Sequence, residues 1–125
     1  GNDLDMLQIP PHTEVYEIDG PYFFGIANKF DEISQRMGTD GQKVRILRMR
    51  KVSFMDSTGI HNLEQLYMRS QRCGMTLVLS GVNENVFKVL DKAGLVKMIG
   101  KENIRGHING ALARATEIVK ESSTK

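Results

Sequence analysis

The segment Asp56-Ser57-Thr58-Gly59 contains the residue types best suited to chemistry in this sequence. It follows a predicted strand and opens a predicted helix, where Asp or Ser caps the first-turn N–H groups and contributes about 1 kcal/mol. Its hydroxyls also lie at the positive end of a helix dipole, where a phosphate is stabilised. Gly59 leaves room for a partner's backbone to approach. The residues alone leave two interpretations open, a plain helix cap and a phosphate or partner site.

A local basic cluster precedes this segment and consists of Arg45, Arg48, Arg50 and Lys51. On a strand, Arg48 and Arg50 point to the same side. The cluster is either a solvated strand end or a contact for an acidic partner, a phosphorylated residue or lipid headgroups. No aromatic residues interleave with these cations, which argues against binding of single-stranded nucleic acid.

No arrangement of residues predicts catalysis or a bound metal ion. His12, His61 and His107 are far apart, no pair has the helical spacing of a zincin, and Cys73 is the single cysteine. The segment Gly38-Thr39-Asp40-Gly41 is a turn, because it lacks the Gly-Lys-Ser/Thr ending of a phosphate-binding loop. Nucleophile-elbow and kinase signatures are also absent. We therefore predict that the protein is not an enzyme and has no cofactor.

Length and composition predict one soluble domain. The chain has 125 residues, a formal charge of +2, 40% hydrophobic residues and 26% charged residues. No apolar run approaches the roughly 20 residues that cross a bilayer, and Asp3 and Asp5 stand where a secretory signal would be basic. The single cysteine fits a reducing cytosol. We predict a cloning remnant or disordered start at 1–3, a domain at 4–121 and a disordered tail at 122–125.

Hydrophobic patterning predicts an alternation of strands and helices that positions these residues. Strands are expected at 4–9, 14–19, 44–49 and 75–79, with 52–54 continuing an extended run and a further short strand at 98–100; helices are expected at 26–37, 56–72, 84–93 and 104–119. Such alternation favours right-handed crossovers. The fold class is α/β, a small mixed and largely parallel sheet with about four helices, in which 75–79 lies near the middle.

Two separated stretches carry the resemblance to a known family. The first is Val52-Ser53-Phe54-Met55-Asp56-Ser57-Thr58-Gly59-Ile60. The second is Gly74-Met75-Thr76-Leu77-Val78-Leu79-Ser80-Gly81-Val82, followed by Val89-Leu90-Asp91-Lys92-Ala93-Gly94-Leu95. Both resemble the STAS domain, which occurs in anti-sigma factor antagonists and in the cytosolic tails of SulP anion transporters. The resemblance extends over nearly the whole chain and implies the STAS, or anti-sigma factor antagonist-like, fold.

A third stretch separates the two branches of the family. The run Asp19-Gly20-Pro21-Tyr22-Phe23-Phe24 is similar to the SulP version, where Asp-Gly-Pro leads into paired aromatic residues. Free antagonists usually carry an acidic residue at the position of Phe23, where it helps to engage the anti-sigma kinase. Ser57 matches the serine that is phosphorylated in antagonists, so the resemblance also implies a phosphorylation site there.

The resemblance implies a non-catalytic regulatory domain of a SulP-type sulfate or related anion transporter, on the cytoplasmic side of the inner membrane. It would act by docking around the helix start, on a surface that comprises Asp56, Ser57, Thr58, Gly59, Arg48, Lys51 and Phe23. Expected partners are the transporter's own transmembrane domain, another STAS domain, an acyl carrier protein or a regulatory kinase, and no nucleic acid. The alternatives are a stand-alone anti-sigma factor antagonist that is switched at Ser57 and a module that binds nucleotides weakly.

Overall fold

Four parallel strands form the sheet of this protein in a computed structural model that describes residues 8–18 and 41–123. They are β1 (Thr13–Glu17), β2 (Val44–Arg48), β3 (Thr76–Ser80) and β4 (Ile104–Arg105), in the spatial order β1-β2-β3-β4. The sheet order therefore follows the chain order, and β3 lies in the interior as predicted. Because all four strands run the same way, their carboxyl ends meet at one edge, which we call the C-terminal edge.

Helices connect or follow these strands. They are α1 (Ser57–Arg72), α2 (Glu84–Lys92), α3 (Leu95–Ile99) and α4 (Ile108–Ser123). The end of α1 has the hydrogen bonds of a Schellman motif: Gly74 N–H donates to Gln71 O, and Met75 N–H donates to Ser70 O. Gly74 has φ 73°, a left-handed conformation that glycine adopts without strain. The glycine after the hydrophobic stripe thus ends α1 where the pattern predicts.

The sheet buries a different core on each face. One core joins Leu47, Met49, Leu77 and Leu79 to α1, α2 and α3. The other joins Val44, Ile46 and Val78 to α4, through apolar side chains that include Ile108 and Ala115. Alternate residues of β2 and β3 therefore enter opposite cores, and β2 is buried along its whole length for that reason, as is β3 beyond its first residue.

Two boundaries near the carboxyl terminus differ from the prediction. Residues 98–100 do not form a strand, because Met98 and Ile99 belong to α3 and Gly100 adopts φ 100° immediately after it. The fourth strand is Ile104–Arg105, so the last helix begins at Ile108 and not at residue 104. A five-residue helix has too short an apolar pattern to be distinguished from a strand by periodicity. At its other end, α4 extends through Ser123, whereas the prediction ends this helix at residue 119.

Other predicted elements lie partly or wholly outside the described residues. The helix at 26–37 and the aromatic run that includes Phe23 are outside them, as is most of the strand at 4–9; Gln8 and Ile9 are described and are not in a strand. The predicted extended run at 52–54 does not join the sheet. Instead, Val52 N–H donates to Met49 O over 3.0 Å and turns the chain towards α1. Among the described residues, no helix is long and apolar enough to cross a membrane.

Candidate functional site

Asp56 forms the amino-terminal cap of α1. Its backbone is extended at φ −100° and ψ 178°, and its Oδ1 accepts a hydrogen bond of 2.9 Å from Gly59 N–H. This geometry satisfies one of the N–H groups that the first turn of a helix leaves without a partner. The cap interpretation is therefore correct for Asp56, and it orients the two hydroxyl residues that follow.

Ser57 and Thr58 are exposed at the start of α1. Neither side-chain hydroxyl has a hydrogen-bond partner within the described part of the chain. Gly59 is buried, so it does not offer its backbone to an approaching partner in this conformation. The chemistry that the helix start presents to solvent thus consists of two hydroxyls beside the Asp56 carboxylate.

Phe54 extends this polar group with a large apolar side chain. It is 47% exposed, whereas the neighbouring Met55 is 7% exposed and packs into the core beneath α1. Sequence reasoning did not select Phe54 as a site residue, although it stands inside the motif. The available signal was the two adjacent apolar residues in a loop, because only one of two neighbouring side chains can face the core. We use the name α1 entry surface for Phe54, Asp56, Ser57 and Thr58.

Asn83 holds the loop that carries the α1 entry surface. Its Nδ2 donates to Val52 O over 3.1 Å and lies 3.4 Å from Ser53 O, while its Oδ1 caps α2 by accepting from Val86 N–H over 2.8 Å. One amide side chain therefore joins the start of α2 to the loop before α1. This cross-link limits the positions that the loop can take.

Gly81 brings the same two loops into close contact. Its φ is +70°, and a Cβ at this position would lie 2.9 Å from both the Cβ and the backbone N of Arg50. No side chain fits there without displacing the backbone of Arg50. The chain between β2 and α1 is thus held by Asn83 on one side and by the close approach of Gly81 on the other.

The structure divides the predicted basic cluster. Arg45 is fully buried and bonds Glu14 through Nε at 3.0 Å and Nη2 at 2.7 Å, with the Tyr16 ring centroid 5.4 Å from its guanidinium carbon. Arg48 is 5% exposed and starts on the α4 face of the sheet, because it follows Val44 and Ile46 by alternation. Lys51 is exposed on the loop before α1. The α1 entry surface and Arg48 therefore lie on opposite sides of the sheet.

Arg50 lies at the C-terminal edge and forms an ion pair with Glu17. Its Nε donates to Glu17 Oε1 over 2.6 Å. This hydrogen bond lowers the pKa of Glu17, and the positive charges of Arg50, Lys51 and Arg48 lower it further against the opposing effect of burial. Arg50, unlike Arg48, is exposed, so the two arginines do not act as one patch.

The described residues contain no group of three or more His, Cys, Asp or Glu side chains that could hold a metal ion. His12, His61 and His107 are all exposed and belong to different elements. The site geometry offers a cap, two hydroxyls and an apolar contact, which suit recognition of another molecule.

Comparison with known proteins agrees with this arrangement. The STAS domain profile matches residues 6–111. A Bacillus subtilis protein named "Putative sulfate transporter YvdB" is 30% identical over 97 residues, which is 78% of this chain and 18% of that protein. The chain thus spans less than a fifth of the length of this curated relative.

Solved structures match the fold over most of the chain. A sulfate transporter family protein from Wolinella succinogenes has a TM-score of 0.87 at 35% identity, covering 93% of this chain and 94% of that one. The SulP transporter STAS domain from Vibrio cholerae has a TM-score of 0.77 at 33% identity, covering 94% and 89%. A Thermotoga maritima protein titled "putative anti-sigma factor antagonist" has a TM-score of 0.67 at 18% identity over 87% and 92%, which shows a likeness of fold alone. The family match over most of the chain, with the predicted motifs in the predicted order, shows that the chain belongs to the STAS domain family.

Proposed function

We propose that this chain is the regulatory STAS domain of a SulP-type sulfate or related anion transporter, on the cytoplasmic side of the membrane, and that it acts by docking and not by catalysis. The observation that carries the docking part is the α1 entry surface, a large exposed apolar side chain beside two hydroxyls on a held loop. The transporter part is supported by the similarity to the Wolinella and Vibrio proteins over more than nine tenths of this chain.

Phe54 is the expected centre of the docking contact. Buried aromatic anchors dominate interface energetics, and truncating one to alanine typically costs about 2 kcal/mol or more, roughly a 30-fold loss of affinity. Asn83 and Gly81 hold the loop before any partner arrives. A preorganised loop loses less conformational entropy on binding, so a small surface can dock effectively.

The proposed partner is the transmembrane domain of the same transporter. A tethered partner has a high effective concentration, so a weak contact is enough for a regulatory role. A second STAS domain, an acyl carrier protein or a kinase are outcomes that the experiment below distinguishes from it.

Ser57 is the proposed point of control. A phosphate there would lie at the positive end of the α1 dipole, which favours it, but beside the Asp56 carboxylate, which repels it. Asp56 already takes the Gly59 N–H. A phosphate at Ser57 would add charge to the α1 entry surface beside the Asp56 carboxylate, and it would weaken apolar docking through desolvation of that charge.

The test uses the natural full-length protein in its source cells. A photo-crosslinking phenylalanine analogue replaces Phe54, and a matched variant carries it at Met68, which is similarly exposed at 45% on α1. We expect a band several times larger than 14.1 kDa in the membrane fraction. We also expect crosslinked peptides that join position 54, but not position 68, to the transmembrane domain.

Other results would change the proposal in specific ways. A soluble band near 14.1 kDa would refute the transporter assignment and favour the antagonist alternative. Equal crosslinking from both positions would refute the α1 entry surface as the contact. Ser57→Asp is expected to reduce the crosslink, whereas Ser57→Ala is expected to leave it unchanged. Equal crosslinking by both variants would refute the proposed control by phosphorylation at Ser57. Weak nucleotide binding at the α1 start is checked by calorimetry with ATP and GTP.

A further inference from the structure

Arg48 is a buried cation that the docking surface does not use. It is 5% exposed, yet its guanidinium makes no hydrogen bond or ion pair within the described chain, and it acts on Glu17 only as a more distant charge. The carboxylate of Glu17 is bonded to Arg50 instead. Glu17 lies opposite Arg48 in the strand register and on the same face of the sheet. Because no described residue bonds the Arg48 guanidinium directly, its donors remain available to a ligand.

The strand register places two further donors beside Arg48. Arg48 is opposite Ser80 on β3, and Ser80 is opposite Arg105 on β4. In parallel strands, residues in register project to the same face, so all three side chains start on the α4 face at the C-terminal edge. Ser80 is 1% exposed and its hydroxyl also has no hydrogen-bond partner among the described residues.

Arg105, the third side chain at this edge, has a guanidinium that is only partly bonded by described residues. Its Nε donates to Glu102 O over 2.7 Å, and no contact within the described residues occupies its two Nη groups. Its side chain packs beside Gly110 in the first turn of α4, where a Cβ would lie 3.5 Å from the Arg105 Cβ. The amino terminus of α4 therefore lies at the same edge, and its positive dipole end adds to the charge of the two arginines.

The donors are reachable from solvent. Among the described residues, no fully enclosed side-chain nitrogen or oxygen lacks a hydrogen bond. Since no described residue bonds the Arg48 guanidinium or the Ser80 hydroxyl, their polar atoms keep some contact with solvent at the edge of the sheet. Because little of either side chain is exposed, a small anion suits this access better than a bulky ligand does.

We infer that Arg48, Ser80 and Arg105 form a binding site for one small tetrahedral oxyanion, inorganic sulfate or phosphate. Guanidinium groups on β2 and β4, with a hydroxyl from β3 between them, offer donors from three separate strands. That arrangement suits four tetrahedral oxygens better than the two coplanar oxygens of a carboxylate. Glu17, opposite Arg48 on β1, disfavours a bound anion, but its carboxylate is paired with Arg50. The site is independent of the transporter proposal, because it lies on the opposite face from α1 and rests on this chain alone.

The test measures urea unfolding of this chain against sulfate, phosphate and chloride at constant ionic strength. At an anion concentration 100 times its Kd, the unfolding equilibrium constant should fall about 100-fold. Sulfate and phosphate are expected to produce this change and chloride is not; the tighter of the two identifies the anion. Arg48→Met should abolish the effect, and the anion-free variant should be about as stable as wild type, since no described residue bonds that guanidinium directly. Arg72→Met, at an exposed position on α1, is the control and should respond as wild type does.

Two results would overturn the inference. One is an equal sulfate response in wild type and Arg48→Met, which would identify a general salt effect. The other is a marked loss of stability in anion-free Arg48→Met, which would mean that Arg48 has a structural partner. Should Arg48→Met fail to fold, Ser80→Ala replaces it: we expect about tenfold weaker sulfate binding from the lost hydrogen bond to a charged ligand, and unchanged binding would refute the site.

Discussion

Substituting Gly81 by alanine tests whether the close approach of two loops holds the α1 entry surface in place. Two costs add at this position. Alanine at φ +70° is in the left-handed region, which costs about 1 to 2 kcal/mol. The new Cβ would also lie 2.9 Å from the Arg50 backbone N and 3.0 Å from its Cα, and relieving such an overlap by a backbone shift costs about 1 to 3 kcal/mol. We expect Gly81→Ala to lower the free energy of unfolding by about 2 to 5 kcal/mol.

Gly94 is the matched control. Its φ is +82°, and a Cβ there would meet nothing within 4 Å, so Gly94→Ala should show the conformational cost alone, about 1 to 2 kcal/mol. The smaller unfolded-state effect of replacing glycine by alanine applies to both variants and cancels in the comparison. The difference between the two variants therefore isolates the contact with Arg50.

The assay is urea unfolding monitored by far-UV circular dichroism, with the slope of free energy against urea compared between variants. An unchanged slope with a lower midpoint would show that stability alone has changed. Gly81→Ala should also weaken the Phe54 crosslink, because the displaced Arg50 lies on the loop that carries Phe54. A Gly81→Ala protein that loses no more stability than Gly94→Ala would refute the close approach of these loops.

Three further predictions concern the same edge of the sheet. Asp56→Ala should lower the free energy of unfolding by about 1 kcal/mol, whereas Asp56→Asn should retain most of it because asparagine caps as well; equal losses in urea unfolding would contradict the cap. Asn83→Ala should lower the free energy of unfolding by about 1 to 3 kcal/mol, because it removes the α2 cap and leaves the Val52 carbonyl without its donor. Asn83→Asp keeps the cap acceptor but loses the donor to Val52. An Asn83→Asp protein as stable as wild type would therefore show that the link to Val52 contributes nothing. The folded-state pKa of Glu17 is lowered below its ordinary 4.5, so its pair with Arg50 stabilises the protein above that pH, and this contribution is lost as the pH falls through the lowered value. Glu17→Gln should therefore reduce the free energy of unfolding at neutral pH by at most about 1 kcal/mol, since the pair is partly exposed, and it should flatten the acid side of the stability profile. A stability profile that Glu17→Gln leaves unchanged would refute this contribution.

Local patterns were sufficient to predict α1 and its cap. An acidic residue and two hydroxyl residues before a stripe that includes Leu63 and Leu66 identify a helix start, and Gly74 identifies its end. These signals are local, because capping and helix termination depend on residues within one turn. The STAS motif then supplied the family, which the profile match confirms.

The carboxyl-terminal boundaries required the packed structure. The short helix α3 buries Leu95, Val96 and Ile99 against the core, and nothing in five residues distinguishes that pattern from a strand. The strand Ile104–Arg105 is defined only by its pairing with β3. A two-residue strand has no periodicity of its own, so its existence depends on the neighbour that it bonds.

The arginines show the same division between local and tertiary information. The sequence alone determined that four cations are close together near the end of β2 and that a capped helix follows them. Only the tertiary structure decided that Arg45 is buried against Glu14, that Arg50 pairs with Glu17, and that Arg48 is buried beside Ser80. The physical reason is that the face to which a strand residue projects follows from alternation, but the partner that it meets there comes from another strand that folding brings alongside.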